Sequence, residues 1–413
     1  MKALRLLATV LIVTFGVATT NSRAAGPTLV FDPITGDVLL EDRAGELWYP
    51  ASLTKLMTAY LVFRKLKAGK LSLDQPLVVS RVARLQPPSR IDLEPGTTIS
   101  LDLALQSMLV YSANDMAYAL AENASDSIEA FVAEMNAEAR ILGMTGTHFV
   151  NPNGFFDPRQ ITTARDMAIL AAAILREFPD RAHYFAQAEV TIGKRKLVSR
   201  NLFLRQMDGA DGMKTGYVCN SGFNLIATAT IAGRKLGAVV FGARNGKQRA
   251  DRAQALLVDA FTTKGSKTGP HVKQIKNMSL GTVVPNDLTA SVCPQKTPVR
   301  IVSARELDGW GITFGTYTSA NKADMALRGR ILGAPGRELP GPTGVIRMPN
   351  NAGFAAVVWR LTREQSQSAC SGYQQDAAPC AIFAPEDFAR ISALTPDPPP
   401  KPRLKPSTRP PSR

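Results

Sequence analysis

Three short polar motifs constrain this chain more than its bulk properties do. Ser52-Leu53-Thr54-Lys55, Ser112-Ala113-Asn114 and Lys214-Thr215-Gly216 occur in that order. Together they supply a serine nucleophile, a lysine to take its proton, a second hydroxyl to relay it, and a cation for a carboxylate. A fold that uses them must bring a helix start, a break between helices and a sheet edge to one cleft. That set implies serine acyl transfer on a peptide with a free carboxyl end.

None of the patterns is rare alone, and the chain contains decoys for each. Ser319-Ala320-Asn321-Lys322 matches the first two, Ser199-Arg200-Asn201 the second, and Lys267-Thr268-Gly269 the third. Context chooses among them. Ser52 opens an amphipathic helix, where position i+3 puts the Lys55 amine one turn on and within reach of the hydroxyl. Leu53, Leu56, Met57, Tyr60 and Leu61 form one apolar stripe of that helix, with Thr54, Lys55 and Thr58 off it. A lysine partly desolvated there has a depressed pKa and acts as a base. Ser112-Ala113-Asn114 interrupts an apolar helical stretch, where a polar triplet is costly unless used. Lys214 precedes a long β run, so Lys214 and Thr215 face a cleft from a sheet edge, and Gly216 lets a substrate backbone approach closely. By contrast, Ser319 reads as a helix cap, 199–201 as a charged surface loop and 267–269 as a solvated turn.

The 413 residues are enough for two or three domains. A hairpin over 28–40 opens the first. Helical stretches follow over 50–65, 102–145 and 163–177, then β runs over 223–231 and 236–241 and a closing helix over 249–261. Strands, helices, strands and a last helix make an α+β domain whose ends meet on one sheet. Residues 263–300 are turn-rich and basic and read as a linker. A strand over 311–317, a helix over 320–332, strands over 344–348 and 354–359, a helix over 363–373 and a strand over 380–383 give βαββαβ, a small ferredoxin-like sandwich. Residues 395–413 hold eight prolines and read as a disordered basic tail.

Lys2 and Arg5 precede an apolar run over 6–18, and Ser22-Arg23-Ala24 resembles a cleavage site. Residues 1–25 therefore read as a secretory signal peptide. Removing Lys2, Arg5 and Arg23 takes the net charge from +15 to +12, which suits anionic envelope polymers or lipid headgroups, while export argues against nucleic acid. Cys219, Cys293, Cys370 and Cys380 all lie in the exported part, so disulfides are permitted. With no CxxC pair and three scattered histidines, no metal-site spacing is present and no cofactor is expected.

The longer strings around the motifs, Tyr49-Pro50-Ala51-Ser52, Tyr111-Ser112-Ala113-Asn114-Asp115, Asn151-Pro152-Asn153-Gly154, Thr163-Ala164-Arg165-Asp166 and Asp211-Gly212-Met213-Lys214-Thr215-Gly216-Tyr217, resemble the low-molecular-mass penicillin-binding proteins, the D-alanyl-D-alanine carboxypeptidases. The resemblance covers about residues 25–262. It implies a β-lactamase/transpeptidase-like fold, an antiparallel sheet with a helical subdomain. It implies Ser52 as acyl-ester nucleophile, Lys55 as proton acceptor, Ser112 as relay and Asn114 as a contact to a substrate amide. Lys214 and Thr215 would bind the terminal carboxylate, with Gly216 beside them, and the backbone N–H groups of Ser52 and Tyr217 would form the oxyanion hole. Arg249 is the nearest candidate for a further arginine, though it reads as exposed helix surface. The family often has histidine and leucine where this chain has Asn153 and Phe155. The implied partners are peptidoglycan stem peptides, with β-lactams as covalent inhibitors. A DD-endopeptidase uses the same site, and a septal peptidoglycan-binding role is the alternative from another class.

Trp310-Gly311-Ile312, Phe314-Gly315-Thr316-Tyr317, Leu361-Thr362-Arg363 and Pro379-Cys380 resemble the sporulation-related repeat (SPOR) domain, which implies binding of denuded glycan strands by residues 301–394. Helical Cys370 and strand-borne Cys380 then meet across the small domain. Cys219 either pairs with Cys293 or stands as a free thiol near the cleft. The implied location is the periplasm, with attachment to the membrane and placement at the division site left open.

Overall fold

The computed structural model describes residues 26–263, 269–281, 284–293, 299, 301–333, 341–371 and 380–394. The signal-peptide reading of 1–25, the tail from 395, and Lys267 and Thr268 lie outside these.

A five-stranded antiparallel sheet organises the first domain. Its order is Val38–Asp42, Thr28–Phe31, Arg234–Ala243, Gly222–Ile231 and Ala210–Val218. The first strand of the chain thus pairs with the last of the domain, Thr28 opposite Val240. Side chains alternate between two apolar layers, as the period of a strand requires. Leu225, Ala227, Ala238 and Val240 pack on the helix Gly246–Thr262 through Ala250, Ala253 and Leu257. Ile226, Val239 and Phe241 face the larger core with the helical subdomain.

The centre of that core is the helix Lys55–Lys67, which continues a 3-10 turn over Ala51–Thr54. An apolar stripe with polar flanks was the expectation. Instead, every residue from Leu53 to Phe63 is buried, and Thr54, Lys55 and Thr58 show no exposed surface. The helices Asn114–Ala124, Ile128–Leu142 and Ala164–Glu177 pack around it, so its polar face is enclosed as well. The last two of these start or stop on a local signal. Ser127 and Thr163 accept N-cap bonds from Ala130 and Asp166, and Gly143 ends its helix at φ 80°.

Residues after the closing helix do not leave the domain at once. Val272 donates its N–H to Gly36 O at 2.8 Å and is buried, and Asn277 Nδ2 donates to Asp166 Oδ1 at 2.9 Å. Residues 269–281, read from sequence as linker, therefore cover the first domain. Low hydropathy there reflects bonding to polar groups rather than a free chain.

The C-terminal sheet has the order Thr343–Arg347, Phe354–Leu361, Trp310–Tyr317, Ala381–Phe383, all antiparallel. Helices Ala320–Gly333 and Arg363–Ser371 lie on one face, burying Ala323, Leu327 and Cys370 against Ile312 and Val358. The other face is covered by a helix the sequence reading did not include, Pro385–Leu394, through Phe388 and Ile391. Ser319 caps its helix by accepting from Lys322 N at 3.3 Å.

Cys370 and Cys380 form a disulfide with Cα atoms 5.3 Å apart, ten residues apart in sequence. Closing so short a loop contributes ~2–3 kcal/mol in the chain-entropy model. A Cys370→Ala/Cys380→Ala variant is expected to lose that amount, read as a lower urea midpoint for the C-terminal transition, with the first domain's transition unmoved.

Candidate active site

The three motifs converge. Ser52 lies half-buried as the second residue of the 3-10 turn that leads into the central helix. Ala51 before it has φ 50°, an uncommon conformation for a residue with a Cβ. Gly154, at φ 79°, packs so closely on Ala51 O that no side chain fits there. Gly216 does the same from the sheet edge. A Cβ on it would stand 2.9 Å from Pro50 O and 3.2 Å from Ser52 N. The sequence reading assigned Gly216's small size to the substrate; the structure shows it docking the edge strand on the turn that carries Ser52.

Lys55 Nζ lies 2.8 Å from Ser52 Oγ, 2.7 Å from Asn114 Oδ1 and 2.5 Å from Asn153 O. The last two groups can only accept, so they take two N–H donors. In the neutral amine the lone pair is then left for the Ser52 hydroxyl. Burial pushes the Lys55 pKa well below a lysine's ordinary 10.5, Lys214 pushes it the same way, and Asp115 opposes both. Asn153 was noted in the sequence only as a departure from the family's usual histidine. Its carbonyl is the lysine's third partner, and its side chain donates to Gln86 Oε1 at 2.8 Å and accepts from Phe155 N at 2.8 Å. A backbone acceptor leaves no mark in side-chain identity, so no motif could have revealed it.

A π-helical turn over Ser107–Tyr111 ends at Ser112, which takes φ 66°, ψ 33°. That break aims the hydroxyl out of the helical stack. Asn114 is buried and well anchored. Its N–H donates to Ser89 O at 2.7 Å and its Nδ2 to Pro87 O at 2.8 Å, leaving one amide N–H for the cleft. Asp115, fully buried, holds the same loop by accepting from Ile91 N and Asp92 N. Burial raises its carboxyl pKa and these backbone bonds oppose the rise.

Lys214 sits on the edge strand Ala210–Val218 with its Nζ donating to Ser112 Oγ at 2.8 Å and to Thr215 O at 3.0 Å. Burial first, then Arg249 and Arg200, bring its pKa down to about 7. Arg249 is a correction to the sequence reading. It is 4% exposed rather than helix surface, and it bonds Asn224 O and Arg200 O. Its spacing to Ala253 and Leu257, i, i+4 and i+8, marks the buried face of that helix, and this was the available signal. The charged 199–201 loop is also corrected, since Ser199 and Asn201 are buried and Arg200 lies over the Tyr111 ring at 5.2 Å.

A cavity of about 430 Å³ joins these groups. Ser52, Ser112, Asn114, Thr215, Gly216 and Tyr217 line it, with Arg200, Arg249, Phe155 and Phe156. Lys55 and Lys214 stand behind this lining, Lys55 bonded to Ser52 Oγ and Lys214 to Ser112 Oγ and Thr215 O.

Residues 15–245, more than half of the chain, match the sequence profile of D-alanyl-D-alanine carboxypeptidases. The chain belongs to the D-alanyl-D-alanine carboxypeptidase family. It is 36% identical over 240 residues to the carboxypeptidase DacC of Escherichia coli K12, covering 56% of this chain and 60% of that one. This chain thus spans less than two thirds of that relative's length. Among solved folds of the family, penicillin-binding protein 5 of Haemophilus influenzae superposes with a TM-score of 0.56 at 34% identity, over 58% of this chain and 71% of that one. Penicillin-binding protein D2 of Listeria monocytogenes, in its cefotaxime-bound form, gives 0.53 at 30% identity, over 58% and 98%. The antiparallel sheet with its helical subdomain is the fold these carboxypeptidases and penicillin-binding proteins share.

Proposed function

We propose that this chain is a serine-type D-alanyl-D-alanine carboxypeptidase that removes the terminal D-alanine from peptidoglycan stem peptides. The observation that carries the reading is the buried Lys55 amine, held by two obligate acceptors with its third direction on Ser52 Oγ. Ser52 Oγ attacks the carbonyl carbon of the terminal peptide bond while its proton passes to Lys55 Nζ. The developing oxyanion lies between the N–H groups of Ser52 and Tyr217, which the close docking at Gly216 supports. Ser112, bonded to Lys214, relays that proton from Lys55, taking one as it gives its own to the leaving nitrogen, and D-alanine departs. Water then splits the ester and returns Ser52 to the hydroxyl form. Thr215 and Arg249 face the terminal carboxylate, with the Lys214 charge behind them.

The test is incubation with a stem pentapeptide ending in D-alanyl-D-alanine. Free D-alanine is expected from the wild type and none from Ser52→Ala. Cleavage confined to cross-linked dimers would make the enzyme an endopeptidase, and cleavage of neither would overturn the reading.

A pH dependence follows from Lys214. With its pKa at about 7 in the free enzyme, the ammonium is charged below that pH and neutral above it. Attraction for a carboxylate therefore weakens as pH rises, so KM for the peptide is expected to climb above pH 7. Lys214→Arg, which keeps its charge, flattens the climb. A KM constant from pH 6 to 9 in the wild type would contradict this.

Two disulfides support an oxidising compartment, consistent with export to the periplasm. Among the described residues no helix is long and apolar enough to cross a membrane. The cefotaxime-bound Listeria relative supports β-lactams as acylating inhibitors of Ser52. Residues 301–394 are proposed to bind denuded glycan, as their resemblance to the SPOR repeat suggests. Failure of the full chain to sediment with amidase-treated sacculi would remove that role.

A further inference from the structure

Lys55 has two acceptors besides the Ser52 hydroxyl, and one short loop holds both of them. Asn153 O and Asn114 Oδ1 take its N–H bonds at 2.5 and 2.7 Å. The Asn153 side chain in turn donates through Nδ2 to Gln86 Oε1 at 2.8 Å. The Asn114 side chain donates through Nδ2 to Pro87 O at 2.8 Å, and its backbone N–H donates to Ser89 O at 2.7 Å. Residues 86–89 therefore bond the two residues that orient the base, although none of the three motifs contains them.

Gln86 follows the short helix Arg81–Arg84 and is 1% exposed. Its Nε2 donates to Val82 O at 3.2 Å, which leaves Oε1 to face Asn153. Its backbone is fixed as well, the N–H donating to Ala83 O at 3.1 Å and the carbonyl accepting from Arg90 Nη1 at 2.9 Å. On the far side, Asn153 Oδ1 accepts from Phe155 N at 2.8 Å. The Asn153 side chain thus has a partner at each end. It is fully buried, so water does not replace a partner that is lost. The peptide unit that carries Asn153 O is held at its other end by Gly154 N, which donates to Asn151 Oδ1 at 2.8 Å. The charged groups that act on Lys55 are Lys214 on the edge strand and Asp115 on the helix Asn114–Ala124. Gln86 carries no charge, so its influence on the amine is one of geometry.

We propose that Gln86 is a positioning residue, which through the Asn153 side chain fixes the carbonyl acceptor that turns the Lys55 lone pair toward Ser52 Oγ. Without that acceptor an N–H of the amine turns to Ser52 Oγ instead, and Lys55 becomes a donor where the reaction needs a base. The inference rests on Lys55 as the general base of the carboxypeptidase reading and adds a residue outside the motifs.

The experiment follows D-alanine release from a stem pentapeptide, and acylation by benzylpenicillin, across pH. It uses the full-length wild type, Gln86→Leu, Gln86→Glu, Asn153→Ala and the double variant Gln86→Leu/Asn153→Ala. Gln86→Leu keeps the bulk but offers Asn153 no acceptor. It is expected to lower kcat and the acylation rate about tenfold, with KM nearly unchanged. The rising limb of kcat/KM moves to lower pH, because an ammonium that has lost an acceptor gives up its proton more easily. Gln86→Glu keeps an oxygen acceptor and is expected to recover most of the rate. The losses in Gln86→Leu and Asn153→Ala are expected not to add in the double variant, since both remove one contact. Additive losses, a loss carried by KM, or a pH limb that stays in place would overturn the proposal and leave Gln86 a structural role. Should Gln86→Leu lose its fold, Asn153→Ala decides, because it removes the same contact from the other side; a wild-type kcat there would overturn the proposal. A wild type that is acylated by benzylpenicillin but releases no D-alanine would overturn the carboxypeptidase reading alone, and the acylation rates would then judge Gln86. A wild type inert to both would overturn both.

Discussion

Replacing Ser52 with alanine is expected to lower D-alanine release by about 10⁴-fold or more, to the background rate. Among the described residues, the Oγ atom is the one partner of Lys55 that it can deprotonate, since the amine's two other partners are the acceptors Asn114 Oδ1 and Asn153 O. Ser112 does not substitute for it. Its hydroxyl accepts from Lys214 Nζ, and it follows the π-helical turn, on a different element from Ser52. The fold is expected to survive. Ser52 is half-buried, and the residues that pack its turn, Ala51 and Leu53, are untouched. Thr215 and Arg249 also remain, so the variant should still bind a carboxylate-terminated peptide without cutting it. The assay is D-alanine release together with a peptide Kd; a variant that releases D-alanine at a tenth of the wild-type rate would assign the nucleophile elsewhere.

Lys55→Met is expected to reduce kcat about 10²–10⁴-fold, the usual contribution of a positioned general base. Methionine matches the lysine's length but leaves Asn114 Oδ1 and Asn153 O facing each other without a donor. Buried acceptors left unpaired cost about 1–3 kcal/mol each, so a lower melting temperature accompanies the loss of rate. The pH profile separates the two effects. The folded-state Lys55 pKa is depressed, so the wild-type amine becomes a base as pH rises through a value well below 10.5. The rising limb of kcat/KM therefore belongs in that lower range and vanishes in Lys55→Met. A rising limb that persists unchanged in the variant would mean that another group takes the proton.

The residues that converge on the cavity were more legible in the sequence than the surroundings that hold them. Ser52, Ser112 and Lys214 stand out because each breaks a local pattern: a helix start, a polar interruption of an apolar run, and a lysine ahead of a long β run, which proves to lie inside the edge strand Ala210–Val218. The sheet was also readable, since its alternation puts Leu225 and Ile226 on opposite faces. Periodicity fails where an element is enclosed on every side. The central helix looked amphipathic because Thr54, Lys55 and Thr58 are polar, yet they are buried because Lys55 and Thr58 find acceptors in Asn153 O and Pro152 O. Arg249 was misplaced for a related reason. Charge alone suggests solvent, and only its backbone acceptors Asn224 O and Arg200 O, remote in sequence, make burial tolerable. The Cys219–Cys293 pair could not be chosen over a free thiol, because the two cysteines are separated by 74 residues and meet only after the chain has crossed the sheet and the closing helix.

The most direct test of the account is the mass of the protein after incubation with benzylpenicillin, followed by mapping of the modified peptide. The account predicts a single covalent addition of the whole penicillin, carried on Ser52 and absent from Ser52→Ala. An unmodified protein, or an adduct that maps to Ser112 or persists in Ser52→Ala, would contradict it.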